Sequence, residues 1–252
     1  MAREVVVVSD PAALAREAAG RFAAAAAESV VARGRFSVAL AGGSTPATLY
    51  RLLARNGGYE GIAWDRTLVF FGDERRVPPD HPDSNYRMVA ETLLAGSPIP
   101  PANVYRMAGE LPGEEAAAGY ARALAQAIPM SRDATGNFPV LDLVLLGMGD
   151  DGHTASLFPG MPALDEEQQV VVATEVPAYV RPAVARLTLT LPVLNAAHRV
   201  IFLVAGAAKA ASLAAILGNA DPGTAPLPAG RVRPSSGAVT WLLDAAAAQG
   251  LK

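Results

Sequence analysis

Short β-branched and apolar runs alternate along the chain with alanine-rich stretches, the pattern of parallel strands covered by helices on both faces. The strand runs are Val5 to Val8, Phe36 to Ala41, Thr67 to Phe71, Leu141 to Leu146, Val170 to Ala173, Leu187 to Leu191, Val200 to Val204 and Val239 to Leu243. Most are almost continuously apolar rather than alternating, which predicts burial on both faces. Helices are predicted to begin at Asp10-Pro11, Thr45-Pro46 and Leu191-Pro192, because proline at the first helical position gives up no hydrogen bond. Others are predicted over Ser84 to Leu94, Glu114 to Ala127 and Ala207 to Leu217. The expected fold class is α/β: one domain over residues 1–252, built on a parallel sheet with helices on both faces. The Gly-, Pro- and Ser-rich stretch Gly218 to Gly237 is long for a connection in a compact domain and reads either as a cover over a site or as an ordered, packed loop.

Composition narrows the function classes. Of 252 residues 51% are hydrophobic, ample for a core, and 21 basic against 24 acidic residues leave a net charge of −3. No general basic field draws in nucleic acid or an anionic membrane, so any bound anion must be held by a local site. The absence of cysteine excludes disulfides and thiolate chemistry and fits a reducing compartment, so a cytoplasmic protein is expected. Nothing approaches the roughly 18 apolar residues of a membrane span. The start, Met1 running into a valine strand, lacks a signal-peptide core and reads as a mature N-terminus. The expected partner is a small-molecule substrate, with no nucleic acid and no membrane, in a monomer or a small homo-oligomer.

Three motifs follow apolar strands. Ala41-Gly42-Gly43-Ser44-Thr45-Pro46 joins a strand to a helix, where two glycines turn the chain and hydroxyls and helix-start N–H groups suit a phosphate; Ser44 or Thr45 as an N-cap is the plainer alternative. The spacing is not that of a Walker loop. Gly72-Asp73-Glu74-Arg75-Arg76 mixes Arg, which grips phosphate, with Asp, which accepts hydroxyl hydrogen bonds; together they describe a phosphorylated polyol, against the alternative of a solvated charge cluster. Gly147-Met148-Gly149-Asp150-Asp151-Gly152-His153 presents two carboxylates and one of only three histidines, and His153 reads as a general base. A metal site on Asp150, Asp151 and His153 has no further ligand to complete it, so none is expected. His81 and His198 read as solvated surface groups. Nineteen of the 21 basic residues are Arg, so Lys209, at the start of an alanine-rich helix, stands out as a compact ammonium for a phosphate, or as one lysine kept by chance. Arg181 and Arg186, flanking Pro182 to Ala185, face the same sheet edge or make ordinary surface pairs.

With these residues in hand, the chain resembles the superfamily of sugar-phosphate enzymes that holds the 6-phosphogluconolactonases and the glucosamine-6-phosphate deaminases, and within it the lactonases. The likeness spans nearly the whole chain and rests on residues 41–46, on Gly72 to Arg75 followed by Ser84-Asn85-Tyr86, on Gly147 to Pro159, and on Arg186-Leu187-Thr188-Leu189-Thr190. It implies a modified Rossmann-like fold without cofactor and hydrolysis of 6-phospho-D-glucono-1,5-lactone in the oxidative pentose phosphate pathway. It further implies a phosphate site from the Gly43-Ser44 turn, Arg75 and Lys209, with His153 activating water and Asp73 and Asp151 near the sugar. Arg181 stands in a segment where the lactonases tend to place lysine and prolines, and is carried as a binding residue on that likeness. Where the deaminases carry a catalytic Glu after this turn, the present chain has Phe158.

Overall fold

The computed structural model describes residues 2–55, 59–131, 136–218 and 226–251. Its centre is a six-stranded parallel sheet in the order β1-β9-β8-β5-β2-β3, where β1 is Ala2–Val8, β2 Phe36–Leu40, β3 Thr67–Phe71, β5 Leu143–Leu146, β8 Arg199–Val204 and β9 Ala238–Asp244. The β2 and β5 strands are buried at every position, as apolar runs sandwiched between helices must be. Neighbouring strands interlock by side chain as well as backbone: Phe202 on β8 is opposite Trp241 on β9, with ring centroids 3.9 Å apart. The expectation of burial on both faces fails at β1. It is the sheet's edge, and Val5 and Val7 are 40% and 53% exposed.

The two strand runs at 170 and 187 also exist, but not in this sheet. They form β6 (Val171–Thr174) and β7 (Arg186–Leu189), which pair antiparallel with a three-residue strand β4 (Asp73–Arg75) as a separate sheet in the order β4-β7-β6. Gly72 joins the two sheets, its N–H donating to Leu40 O of β2 and its carbonyl accepting from Leu189 N–H of β7. The charged motif after β3 is thus a strand of its own rather than a loop.

Helix α1 (Pro11–Arg33) starts where its sequence signals it: Asp10 caps it by accepting from Ala13 N–H at 2.8 Å, an interaction worth about 1 kcal/mol. Its buried face runs Leu14, Ala15, Ala18, Ala19, Phe22, Ala25, Ala26, Ser29, a three-to-four spacing of small residues that lets the helix lie close to its neighbours. Helix α2 (Ser44–Leu53) begins two residues earlier than its proline suggests, with Gly43 at the N-cap and Pro46 third. The remaining helices are α3 (Asn85–Thr92), α4 (Gly113–Ala127), α5 (Leu191–Ala196) and α6 (Ala210–Leu217), the last preceded by a tight turn over Ala207–Lys209. The buried apolar side chains of both sheets and the helices form one connected cluster. Among the described residues no helix is long and apolar enough to cross a membrane.

Candidate active site

The carboxyl ends of three adjacent strands, β2, β5 and β8, open onto a cleft of about 320 Å³. Ligands in open α/β sheets bind at this end. Its walls are the turn after β2 (Ala41 to Pro46), the turn after β5 (Gly147 to Gly149) with His153, the end of β8 with Lys209, and Asp73 and Arg75 from β4. Besides His153, five of the residues singled out as site candidates therefore line one cleft: Gly43, Ser44, Asp73, Arg75 and Lys209.

The turn after β2 is held from below. The hydroxyl of buried Tyr50, in the second turn of α2, donates to Ala41 O and accepts from Ala41 N–H, both at 2.9 Å. Gly43 sits at φ +102°, after which α2 starts at once, so the N–H groups of its first turn have no intrahelical acceptor. The carbonyl end of α2 points away, which leaves its positive end at the cleft.

Opposite stands β4. Asp73 is 9% exposed and is fixed at both oxygens, Oδ1 by Asn85 Nδ2 at 3.1 Å and Oδ2 by the Ser156 hydroxyl at 2.6 Å. Asn85 in turn packs on Gly42, where any Cβ would lie 2.0 Å from its Oδ1. Glu74, which reads in sequence as part of a solvated charge run, is only 2% exposed and faces the opposite way. It accepts from the N–H groups of Arg75, Asn85 and Tyr86 and from the Ser84 hydroxyl, tying β4 to the start of α3. Burial pushes its carboxyl above the usual carboxylate range, against the pull of those donors. Arg75 donates to Asp83 O at 2.7 Å, while its Nε is buried with no partner among the described residues. Across the small sheet Arg186 is in register with Arg75; it is no surface pair but a buried group, donating to Pro182 O and Val184 O. Burial, and next the nearby Arg75 charge, depress its guanidinium below its ordinary value.

The turn after β5 folds on itself instead of entering a helix. Gly149 N–H donates to His153 O and Gly152 N–H to Gly149 O, closing a loop in which the imidazole Nδ1 lies 2.6 Å from Asp151 Oδ1. The same oxygen accepts from His153 N–H at 3.1 Å. Position 149 has to be glycine, since a Cβ there would lie 2.1 Å from His153 Nδ1 and 2.6 Å from Asp151 Oδ1. Phe158, 2% exposed, sets its ring 4.5 Å from the imidazole. Partial burial would raise the Asp151 carboxyl, but the His153 N–H, the Tyr179 hydroxyl and the imidazole together hold it below the usual carboxylate range. Asp150 turns away to pair with Lys209. Among the described residues no group of three or more His, Asp or Glu side chains is arranged to hold a metal.

A family model described as glucosamine-6-phosphate isomerases/6-phosphogluconolactonase matches residues 9–241. The chain belongs to this family. Within it, a 6-phosphogluconolactonase of Synechocystis is 40% identical over 227 residues, covering 89% of this chain and 88% of its own. The human 6-phosphogluconolactonase is 44% identical over 219 residues, covering 86% and 81%. A solved structure of 6-phosphogluconolactonase from Trypanosoma brucei superimposes with a TM-score of 0.89 at 32% identity over 99% of both chains.

Several positions depart from their sequence reading. Arg181 does not line the cleft; its guanidinium donates to Ala178 O and Val180 O of its own loop. His81 is partly exposed as expected, but His198 is half-buried at the start of β8, and burial lowers its imidazole below the ordinary value. Of the stretch Gly218 to Gly237, residues 219–225 lie outside the described residues; beyond them, Leu227 packs on Gly152 and Ala229 N–H donates to Gly152 O, so this part supports the histidine turn from behind. Glu74, Asn85 and Ser156 stand within the motifs that carry the family likeness without a role of their own in the sequence, and nothing in the sequence marks Tyr179.

Proposed function

We propose that this protein is a 6-phosphogluconolactonase that opens 6-phospho-D-glucono-1,5-lactone to 6-phosphogluconate, the hydrolytic step of the oxidative pentose phosphate pathway, with His153 as general base. The observation that carries the reading is one cleft lined both by the histidine of a carboxylate–imidazole pair and by a helix start, Arg75 and Lys209, which are donors suited to a phosphate.

The phosphate goes to the start of α2 at Gly43 and Ser44, to Lys209 and to Arg75. Each element supports this. The helix start offers N–H groups and a positive end, and Arg75, which lines the cleft, has its Nε buried without an acceptor among the described residues. Lys209 exchanges Asp150 for the phosphate. Charge-assisted bonds of this kind are worth about 1.5–3 kcal/mol each, and being remote from the reacting carbon they can fix the lactone against the base.

At the reacting end, Asp151 takes the Nδ1–H of His153, which leaves Nε2 basic and turned to the cleft. Nε2 removes a proton from water as its oxygen attacks the lactone carbonyl. The C–O bond to the ring oxygen then breaks, and the imidazolium returns the proton to that oxygen. The Asp151 carboxylate stabilises the imidazolium between the two steps. Asp73, already committed to Asn85 and Ser156, borders the cleft where sugar hydroxyls lie and is oriented to accept from them. The N–H groups of Gly149 and Gly152 are spent inside the turn and offer nothing to the developing oxyanion. Phe158 separates this reading from a deaminase, which needs a carboxylic acid where this apolar ring is buried.

The test is lactone consumption above spontaneous hydrolysis, with the lactone generated in place by glucose-6-phosphate dehydrogenase. Acceleration is expected. Its absence, with 6-phosphogluconate still bound, would instead mark a sugar-phosphate sensor.

A further inference from the structure

The loop between β6 and β7, residues 175–185, has no part in the hydrolytic scheme, yet it reaches the catalytic pair. Tyr179 is 62% exposed, so it is not held there by burial. Its hydroxyl nonetheless donates to Asp151 Oδ2 at 2.8 Å. The backbone around it is clamped by two arginines. Arg181 Nη1 donates to the carbonyls of Ala178 and Val180, the residues on either side of Tyr179, at 2.7 and 2.9 Å. Arg186 takes the carbonyls of Pro182 and Val184 further along. Four loop carbonyls thereby find donors without a strand or a helix, and Tyr179 is presented in one place.

We infer that Tyr179 is a positioning residue for His153, acting through Asp151, and that Arg181 serves by fixing the loop that presents it. The inference rests on the proposed role of His153 and adds a third member to its relay. Asp151 Oδ1 faces the imidazole and the His153 N–H while Oδ2 faces the phenol, so both carboxylate oxygens are fixed and the group cannot rotate. The imidazole plane is set in turn, with Nε2 kept toward the cleft. The phenol also draws charge from the carboxylate; the hydrogen bond to Asp151 raises the Tyr179 hydroxyl above its ordinary value. Removing the hydroxyl returns that charge to the His153 side and makes the imidazole more basic.

Among the described residues, the other charged groups around the imidazole are Asp150 and Lys209, paired with each other, and Asp73 and Arg75 on β4. Tyr179→Phe leaves all of them in place.

The experiment is an NMR titration of the histidine rings in the full-length wild type and Tyr179→Phe, the His153 signal assigned with His153→Gln, alongside kcat and KM for the lactone across pH. Tyr179→Phe is expected to move the His153 titration to higher pH and to carry the acid limb of the rate profile with it. It should lower kcat about three- to tenfold, the size of one hydrogen bond, with KM and melting temperature near wild type. Arg181→Ala should act in the same direction and add little in the Tyr179→Phe background, as expected when one residue works through the other. A His153 titration unchanged by Tyr179→Phe overturns the inference, whatever happens to kcat, and reduces the contact to a loop anchor. Failure of the wild type to consume lactone would count against the reaction instead, since the titration reads the relay without turnover.

Discussion

Two glycine-rich turns line the cleft side by side, and they do opposite things. Both come directly after fully buried strands of the same sheet, β2 and β5, and both bring a glycine against a neighbouring polar side chain, Gly42 against Asn85 and Gly149 against His153. After the β2 glycines come Ser-Thr-Pro, which enter a helix at once and leave its positive end and bare N–H groups at the cleft. After Gly149, just beyond β5, come Asp-Asp-Gly-His, which close back on that glycine, spending the Gly149 and Gly152 N–H groups internally to present a carboxylate–imidazole pair. The lesson is that glycine after a strand signals close approach only. The residues next in the chain decide whether the turn holds charge or moves a proton.

The sharpest way to break the comparison is at Gly149. A methyl group there collides with the ring and carboxylate it should orient, so Gly149→Ala should cost about 10²-fold in kcat, the penalty of displacing a reacting group by about an ångström, with KM less affected. Full turnover in steady-state kinetics would show that the pair is not used as drawn. At the phosphate end, Lys209→Ala and Arg75→Ala should each raise KM about 10- to 100-fold, as expected for losing one charge-assisted phosphate contact, with a smaller change in kcat. A pure kcat effect in either would move that residue out of the phosphate site.

A third variant separates support from chemistry. Glu74 holds four donors yet does not itself line the cleft, so Glu74→Gln should cost about 1–3 kcal/mol of unfolding free energy in urea. The pH dependence carries a sign. Burial raises the folded Glu74 carboxyl above the 4.5 of an ordinary one, so its contribution is complete below that pH and is lost as pH rises through the raised folded value. The stability gap between wild type and Glu74→Gln should therefore shrink from pH 4.5 toward pH 7; a gap that widens would contradict the assignment. The smallest effect is expected for Ser44→Ala. It keeps the helix-start N–H groups, and KM should rise about two- to tenfold, the value of one neutral hydrogen bond.

Much of this architecture is legible in the residues themselves. The apolar runs at 36, 67, 141 and 200 specify buried strands because parallel strands covered by helices have no polar face to show. Asp10, Ser84 and the prolines mark helix starts through caps that act within a few residues. The cleft residues are legible in part, since Gly43, Ser44, Asp73, Arg75, Lys209 and His153 each combine a strand end with suitable chemistry. What escapes is decided by distant partners. The three residues of β4 are too short to signal a strand, and their pairing with β7 lies more than a hundred residues away. Glu74 beside Asp73 and Arg75 looks solvated until α3 closes over it. Arg181 reads as a binding group because sequence cannot show that its own loop offers two carbonyls. Val5 and Val7 look like core residues because an edge strand uses the same residue types as a central one.

The division of labour between phosphate grip and proton transfer is tested most directly by measuring kcat and KM for 6-phospho-D-glucono-1,5-lactone in His153→Ala and Lys209→Ala side by side. His153→Ala should lose about 10² to 10⁴-fold in kcat at nearly unchanged KM, the value of a general base, while Lys209→Ala should do the reverse. Wild-type turnover in His153→Ala, or the same parameter falling in both variants, would contradict it.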